Sequence, residues 1–462
     1  MRIPLNSDSP HPLHKQISTY LQESIENGSI LPGTKLPPRR ELARNLGVAR
    51  ITVETAYAHL ESRGLIQGLT GKGTFVLAIP RKTGRSLPKP SQQASTLWRG
   101  GGSFIDLAYG GGDPSLSPSH EFRKVLNSAW TNAPATAAKY LPPTGLMELR
   151  KAIQSYCGES GIMLPSSTPI ITNGSQHALS LVFQTLASPG DVVMCENPTY
   201  AWLLRFLSQR DLHGHPLPSH SASPQEWYDA IQRSQPKFLY LVSDFTNPTG
   251  LTLPTETRQA VVSAAQKCGS WIVEDDYCAQ LRYEGKTVPS YSALVRHQQT
   301  IYISSFSKIL MPGLRLGFLT PPPQLFETLA LQLELDLICT GSPLQLAMAQ
   351  YLKEGYYRRH IRRLKTQYKK RRDAFLKTCE KVLPSSSQWT TPQGGLFLCL
   401  FLPEGTQVQD VVAHAAEEQI HITSGDAFFL QSPRPMLRMN FAAESQNRSC
   451  QALEILGEIL RD

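Results

Sequence analysis

Apolar positions in this chain follow two different rhythms. Ahead of residue 77 they recur at three-and-four spacing, and beyond residue 105 they gather in short unbroken runs. The first rhythm is that of helices with one buried face. From His14 to Asn27 the residues Ile17, Leu21 and Ile25 share such a face, which predicts a helix ending near Gly28. After the turn Leu31-Pro32-Gly33, a second helix is predicted to start past Leu36-Pro37-Pro38, to turn Leu42, Ala43 and Leu46 inward, and to stop at Gly47, a residue that tolerates positive φ. A third is predicted from about Ile51 to Arg63, burying Val53, Ala56, Tyr57 and Leu60. Joined through Gly47-Val48-Ala49, the last two make a helix-turn-helix. Past Gly64, Leu65-Ile66-Gln67-Gly68 and Gly71-Lys72-Gly73-Thr74-Phe75-Val76 form two strand-like pieces around a glycine-rich tip, the pattern of a β wing.

The second rhythm begins after Ile105. Pro169–Thr172, Asp191–Met194, Phe238–Val242, Trp271–Val273 and Thr300–Ile303 are apolar runs separated by helical stretches. Short buried strands alternating with helices predict an α/β domain with a largely parallel sheet, whose chemistry collects at the carboxyl ends of the strands. The expected domains are therefore 1–77, a DNA-facing winged helix-turn-helix, and 105–462, a large α/β unit with a smaller subdomain. Residues 78–104 carry Pro80, Pro88, Pro90, several serines, five Lys or Arg and no acid, a composition that buries no core and predicts a mobile basic tether.

Charge sharpens this division. The net charge is +9, yet residues 1–104 hold 14 Lys and Arg against 6 Asp and Glu, while the remainder holds 32 against 31. A basic front suits attraction to a phosphate backbone, with Arg50 and Thr52 presented to a major groove and Arg40 and Lys72 to phosphates and the minor-groove edge. The eight cysteines are scattered without the close pairs of a zinc or redox site, the first residues lack the apolar core of a signal peptide, and no apolar stretch is long enough for a membrane span. The expectation is a protein of the reducing cytoplasm.

The loops after the apolar runs hold the candidate chemistry. Gly174-Ser175-Gln176 opens a helix whose first N–H groups can cradle a phosphate. Asn247-Pro248-Thr249-Gly250, Glu274-Asp275-Asp276-Tyr277 and Lys308 bring an amide, an acid with a phenol, and an amine to the same rim. A lysine forms an imine with an aldehyde, a carboxylate keeps a pyridine nitrogen protonated, and neighbouring donors tune the imine. Singly, each residue has a plain alternative: Asp275 as a helix cap, Tyr200 as a core aromatic, Arg438 as an ion-pair partner, Lys308 as a solvated lysine.

Two resemblances rest on these residues. Leu36-Pro37-Pro38-Arg39-Arg40-Glu41-Leu42-Ala43, Gly47-Val48-Ala49-Arg50-Ile51-Thr52-Val53, Tyr57, Leu60, Gly64 and the wing resemble the GntR family of winged-helix regulators. The resemblance implies DNA contacts by Arg40, Arg50, Thr52, Gly71, Lys72 and Gly73, with Ile51 where a small polar residue often sits. Residues 105–462 resemble fold-type I aminotransferases, and the fusion resembles the MocR subfamily of GntR regulators. That implies a fold-type I transferase domain using pyridoxal 5'-phosphate, with Lys308 as the Schiff-base lysine and Asp275 as the pyridinium partner. It places Asn247 and Tyr277 at the ring hydroxyl, Tyr200 (in Glu196-Asn197-Pro198-Thr199-Tyr200) stacked on the ring, and Ser175, Gln176, Ser305, Ser307 and Arg315 at the phosphate. It further implies that Tyr140 reaches the site from the partner of a head-to-tail homodimer, and that Arg438 grips a substrate or effector carboxylate. Cys278 and Gln280 stand where acidic residues are common in that subfamily.

Ser305-Phe306-Ser307-Lys308 also fits the Ser-x-x-Lys of penicillin-binding enzymes, but Lys82-Thr83-Gly84 precedes it within the tether, and no Ser-Asp-Asn is present. Arg358 to Arg372 is a basic run on a helical pattern with Ile361, Leu364 and Tyr368 inward, expected to be a solvated face or, more sharply, a second DNA-contacting or interdomain surface. The function expected is a transcription regulator in which occupancy of the cofactor site by an amino acid or amine shifts two winged helices between DNA-binding geometries. A working aminotransferase with an autoregulatory DNA-binding domain is the competing expectation. A degenerate scaffold serving dimerisation alone is the third.

Overall fold

The computed structural model describes residues 3–5, 12–26, 30, 33–63, 65–69, 73–77, 104–164, 168–295 and 299–461. The chain divides into two compact units, Met1–Gly101 and Gly102–Asp462. The expected tether, Phe104 apart, and the wing residues Gly71 and Lys72 lie outside the described residues.

In the first unit, α1 (Leu13–Glu26), α2 (Arg39–Leu46) and α3 (Arg50–Ser62) follow the three-and-four pattern. Ile17, Leu21, Leu42, Val53, Ala56 and Tyr57 are fully withdrawn from water and form one core. Gly47 closes α2 at φ 66°, where its N–H returns to the carbonyls of Ala43 and Arg44. The Tyr57 hydroxyl donates to the Pro37 carbonyl at 2.8 Å and ties the start of α2 to α3. The wing is a three-stranded antiparallel sheet rather than a hairpin. Lys35–Leu36 (β1) pairs with Gly73–Val76 (β3), which also pairs with Ile66–Leu69 (β2). A two-residue strand is too short to show any period, so only its partner reveals it.

The second unit is built on a seven-stranded sheet. In chain order its strands are β4 (Ile170–Thr172), β5 (Val192–Cys195), β6 (His213–Pro216), β7 (Phe238–Val242), β8 (Trp271–Asp276), β9 (Thr300–Ser305) and β10 (Gly317–Thr320). Their spatial order is β4-β10-β9-β8-β7-β5-β6. All pairs are parallel except those of β10, which runs antiparallel between β9 and β4. Alternate residues of the central strands enter two separate cores: Phe238, Tyr240, Val242 and Val273 on one face, Leu239, Leu241 and Ile272 on the other. Burial on both faces is why these strands read as unbroken apolar runs.

Helix α4 (Ser175–Leu186) follows β4, and the long α5 (Tyr356–Val382) leads to a smaller antiparallel sheet. That sheet contains β11 (Gln388–Trp389), β12 (Phe397–Phe401), β13 (Thr423–Ser424) and β14 (Met436–Asn440), in the order β11-β12-β14-β13. The basic run on α5 is not one solvated face. Arg359, Arg362, Arg363 and Lys370 are exposed, but Arg372 is 2% exposed and pairs with Glu284 at 2.8 Å, and Arg371 pairs with Asp113 at 2.6 Å. Arg371 and Arg372 lie on the covered side of the helix, so these two cations need carboxylates there. No helix among the described residues is long and apolar enough to cross a membrane.

Candidate functional site

Strand β8 ends in three consecutive acids, and pleating sends them to opposite faces. All three are buried. Glu274 accepts from the Ser243 hydroxyl and from the N–H groups of Tyr291 and Ser292, each at 2.9 Å. Asp276 accepts from the Tyr302 hydroxyl at 2.5 Å and the Ala279 N–H at 2.9 Å. Asp275, on the other face, accepts from the Tyr240 hydroxyl at 2.8 Å through Oδ2, while Oδ1 is buried without a partner among the described residues. It is therefore the one of the three with an oxygen left for an external donor. Burial pushes its carboxyl up to about 6, against the pull of Tyr240 and of the Lys308 charge.

Lys308 follows β9 and is partly buried, its Nζ donating to the Gly110 carbonyl at 2.7 Å. Removal from water, and next the repulsion of Arg438, bring its ammonium down to about 8. Arg438 leaves β14 between two rings, 4.6 Å from the centroid of Phe397 and 5.4 Å from that of Phe428. One terminal nitrogen donates to the Ala108 carbonyl at 2.5 Å and to Thr423 Oγ1 at 3.2 Å, and its Nε is buried without a partner. Among the described residues no carboxylate pairs with this cation. Burial lowers its proton affinity below the usual guanidinium value.

Tyr200 feels the charges of Asp275, Arg315 and Arg438, and burial lifts its phenol to about 12. It caps the helix Ala201–Gln209 and stacks toward Trp202 with centroids 6.2 Å apart. Tyr277 donates its hydroxyl proton to the Phe245 carbonyl, which leaves its oxygen able to act only as an acceptor. Asn247 keeps a buried amide oxygen without a partner.

A separate group of donors gathers at the start of α4. Gly174 takes φ 83° there, and no side chain caps the helix, so the first N–H groups of Ser175 and Gln176 are free of helical partners. Arg315, exposed and held by its own bond to the Asn173 carbonyl at 3.1 Å, lines an open cleft of about 600 Å³ with Asn173, Gln176 and His177. Ser305 and Ser307 are buried, the Ser305 hydroxyl accepting the Ser307 N–H at 3.1 Å and the Ser307 hydroxyl lacking a partner. A helix N-terminus beside a guanidinium is a ready anion site.

Thus Asp275 and Arg438 each act electrostatically on Lys308, Tyr200 and Tyr277, and Arg315 acts on Lys308 and Tyr200. Tyr140 does not join them: it is 81% exposed and lies beside Lys139, Cys339 and Thr340. In the first unit Arg40 and Arg50 are exposed, Thr52 is half-buried, and Arg50 is held to Glu54 at 2.6 Å.

Sequence reasoning missed Tyr240, the Gly110 carbonyl and the two rings around Arg438. For Tyr240 a signal existed, since Tyr240 and Val242 share a face and Val242 lies in register with Asp275. Replacing Tyr240 by phenylalanine is expected to cost about 1–3 kcal/mol, because it strands a second buried carboxylate oxygen. The folded Asp275 carboxyl holds its proton to about 6 where an ordinary one loses it near 3.8, so stability falls as pH rises across that window. Tyr240→Phe should move the upper end of the fall to higher pH, which chemical denaturation from pH 4 to 8 measures.

The donor set fits pyridoxal 5'-phosphate: an orphaned acid for a ring nitrogen, a lysine poised for an aldehyde, and a helix N-terminus with serines and an arginine for a phosphate. Comparison with known proteins points to the same cofactor. Residues 105–456 match the family described as aminotransferase class I and II, and residues 13–76 match the bacterial regulatory proteins of the gntR family. The uncharacterized HTH-type transcriptional regulator YdcR of Escherichia coli is 29% identical over 97% of this chain and 99% of its own. The probable rhizopine catabolism regulatory protein MocR of Rhizobium meliloti is 28% identical over 84% of this chain and 80% of its own. Among solved structures, a kynurenine aminotransferase of Pyrococcus horikoshii in complex with PMP superposes with a TM-score of 0.74 at 27% identity, covering 82% of this chain and 98% of that one. With its large unit matched almost end to end and a regulatory helix-turn-helix ahead of it, the chain belongs to the aminotransferase class I and II family, in the fused arrangement of the MocR-type members of the gntR regulators.

Proposed function

We propose that this protein is a pyridoxal-phosphate-dependent, DNA-binding transcription regulator of the cytoplasm, whose aminotransferase-like unit senses an amino acid. The observation that carries the sensing part is Arg438, a buried cation with no carboxylate partner among the described residues, within electrostatic reach of Lys308. An unpaired buried charge is costly, and a ligand carboxylate would offset that cost. When bound, the cofactor supplies an aldehyde that takes up amines and a ring that withdraws electrons.

The chain's own residues do the rest. Lys308 would offer the amine for covalent attachment, and Asp275, with Oδ1 buried and unpartnered among the described residues, would hold the ring nitrogen in its protonated form. Tyr200 would cover the ring, Asn247 and Tyr277 would address the ring hydroxyl, and Ser175, Gln176, Ser305, Ser307 and Arg315 would hold the phosphate. Tyr140, exposed on its own chain, would complete the phosphate site of a second copy in a head-to-tail homodimer. Arg40, Arg50, Thr52 and the wing residues Gly71, Lys72 and Gly73 would contact the operator. Sustained transamination is the second reading, favoured by one observation: with an ammonium brought down to about 8, Lys308 can also move protons near neutral pH. Turnover with an amino acid and a 2-oxo acid separates the two.

The deciding experiment measures operator affinity of the full chain without cofactor, with cofactor, and with cofactor plus each of a panel of amino acids. One amino acid should change affinity by about 5- to 150-fold, the usual span of coupling between sites. Equal affinity in every state would reject sensing.

A further inference from the structure

We propose that α3 reads thymine methyl groups in the major groove through Ile51 and Thr55, an inference that rests on the DNA-binding reading of the first unit. The helix turns Val53, Ala56, Tyr57 and Leu60 into the core. At three-and-four spacing on its outer side lie Ile51, Thr55, Ala58 and Ser62, a stripe without a charged residue. Ile51 is 66% exposed, and among the described residues of the first unit no other large apolar side chain stands out in this way. Thr55 spends its hydroxyl proton on its own helix, donating to the Ile51 carbonyl at 2.9 Å, so it has no donor left for a partner and offers its methyl beside an oxygen that can only accept. Arg50, beside the stripe, is tied through Nε to Glu54 at 2.6 Å, which holds part of its charge on the helix.

A single exposed isoleucine is ordinary on a protein surface. This one sits in the first turn of the helix that follows the turn of a helix-turn-helix, where side chains meet base edges. Major-groove edges present donors, acceptors and one apolar group, the C5-methyl of thymine. Ile51 and Thr55 together match that group and carry none of the forked donors that read guanine or adenine.

The test begins by selecting a binding sequence for the full-length protein from random duplexes. Each thymine of the recovered half-site is then replaced by uracil, which removes the methyl and leaves the pairing edge and the minor groove unchanged. Wild-type affinity should fall about fourfold for each methyl that the stripe covers. Ile51→Ser should bind the thymine and uracil duplexes equally at its position with an unchanged melting temperature, because the side chain is exposed. Thr55→Ser, which keeps the hydroxyl for the Ile51 carbonyl, should lose a smaller discrimination. Uracil duplexes bound as tightly as thymine ones by the wild type would overturn the inference, as would a thymine preference that survives both substitutions. A selection that enriches no sequence would instead remove the DNA-binding reading itself, and this inference with it.

Discussion

Lys308→Ala should abolish covalent attachment of pyridoxal phosphate altogether, seen as loss of the visible band and of the mass increment fixed by borohydride. Asp275, the start of α4 and the serines would still bind the free cofactor weakly. The wild-type rate of attachment should carry the signature of the depressed ammonium. A lysine attacks as the neutral amine, so the rate rises about tenfold per pH unit below about 8 and levels above it. At pH 7 the neutral fraction is roughly 300-fold greater than for a lysine of ordinary affinity near 10.5. A rate that kept climbing past pH 10 would show that Lys308 is not desolvated as described. Under the sensing proposal the same substitution should also remove the amino-acid dependence of operator affinity, while leaving the affinity of the cofactor-free protein at its wild-type value.

Arg438→Met should weaken amino-acid binding by about 100-fold, the scale on which truncating one side of a buried charge-assisted pair operates. The loss should be selective. An amine that lacks the carboxylate but is otherwise identical should bind both proteins alike, since Arg438 has nothing of it to grip. Arg438→Lys should recover only part of the affinity, because the rings of Phe397 and Phe428 flank a planar guanidinium and a point charge cannot fork onto two oxygens. Calorimetric titration of the wild type and both variants with an amino acid and its decarboxylated counterpart measures these effects. Equal losses for the two ligands would mean that Arg438 supports the site's shape and does not receive a carboxylate.

Much of the site was legible because its residues sit in loops of fixed local grammar. Asn247-Pro248-Thr249-Gly250 and Glu274-Asp275-Asp276-Tyr277 each close an apolar run, and in a parallel sheet the ends of such runs converge on one rim. Gly174 was legible as the residue that turns a strand into a helix, and the structure gives it φ 83°. Strand β10 was not legible, for its four residues are no more apolar than other short stretches, and only β4 and β9 on either side make it a central strand. The basic run on α5 misled in the same way: spacing showed which residues face inward, but not that Glu284 and Asp113 would arrive to neutralise Arg372 and Arg371.

The sequence by itself determined the two units, the helix-turn-helix, the largely parallel sheet, and the candidate amine, acid, amide and phenol of the rim, because each depends on periodicity or on a few neighbouring residues. Only the tertiary structure decided which of three adjacent acids keeps a free oxygen, which tyrosine holds it, and which carbonyl receives Lys308 from nearly 200 residues away. It alone left Arg438 without a carboxylate among the described residues and turned Ile51 outward on α3. Partners in a hydrogen bond and the exposure of a side chain are set by what packs against them, and packing joins positions whose separation along the chain carries no signal.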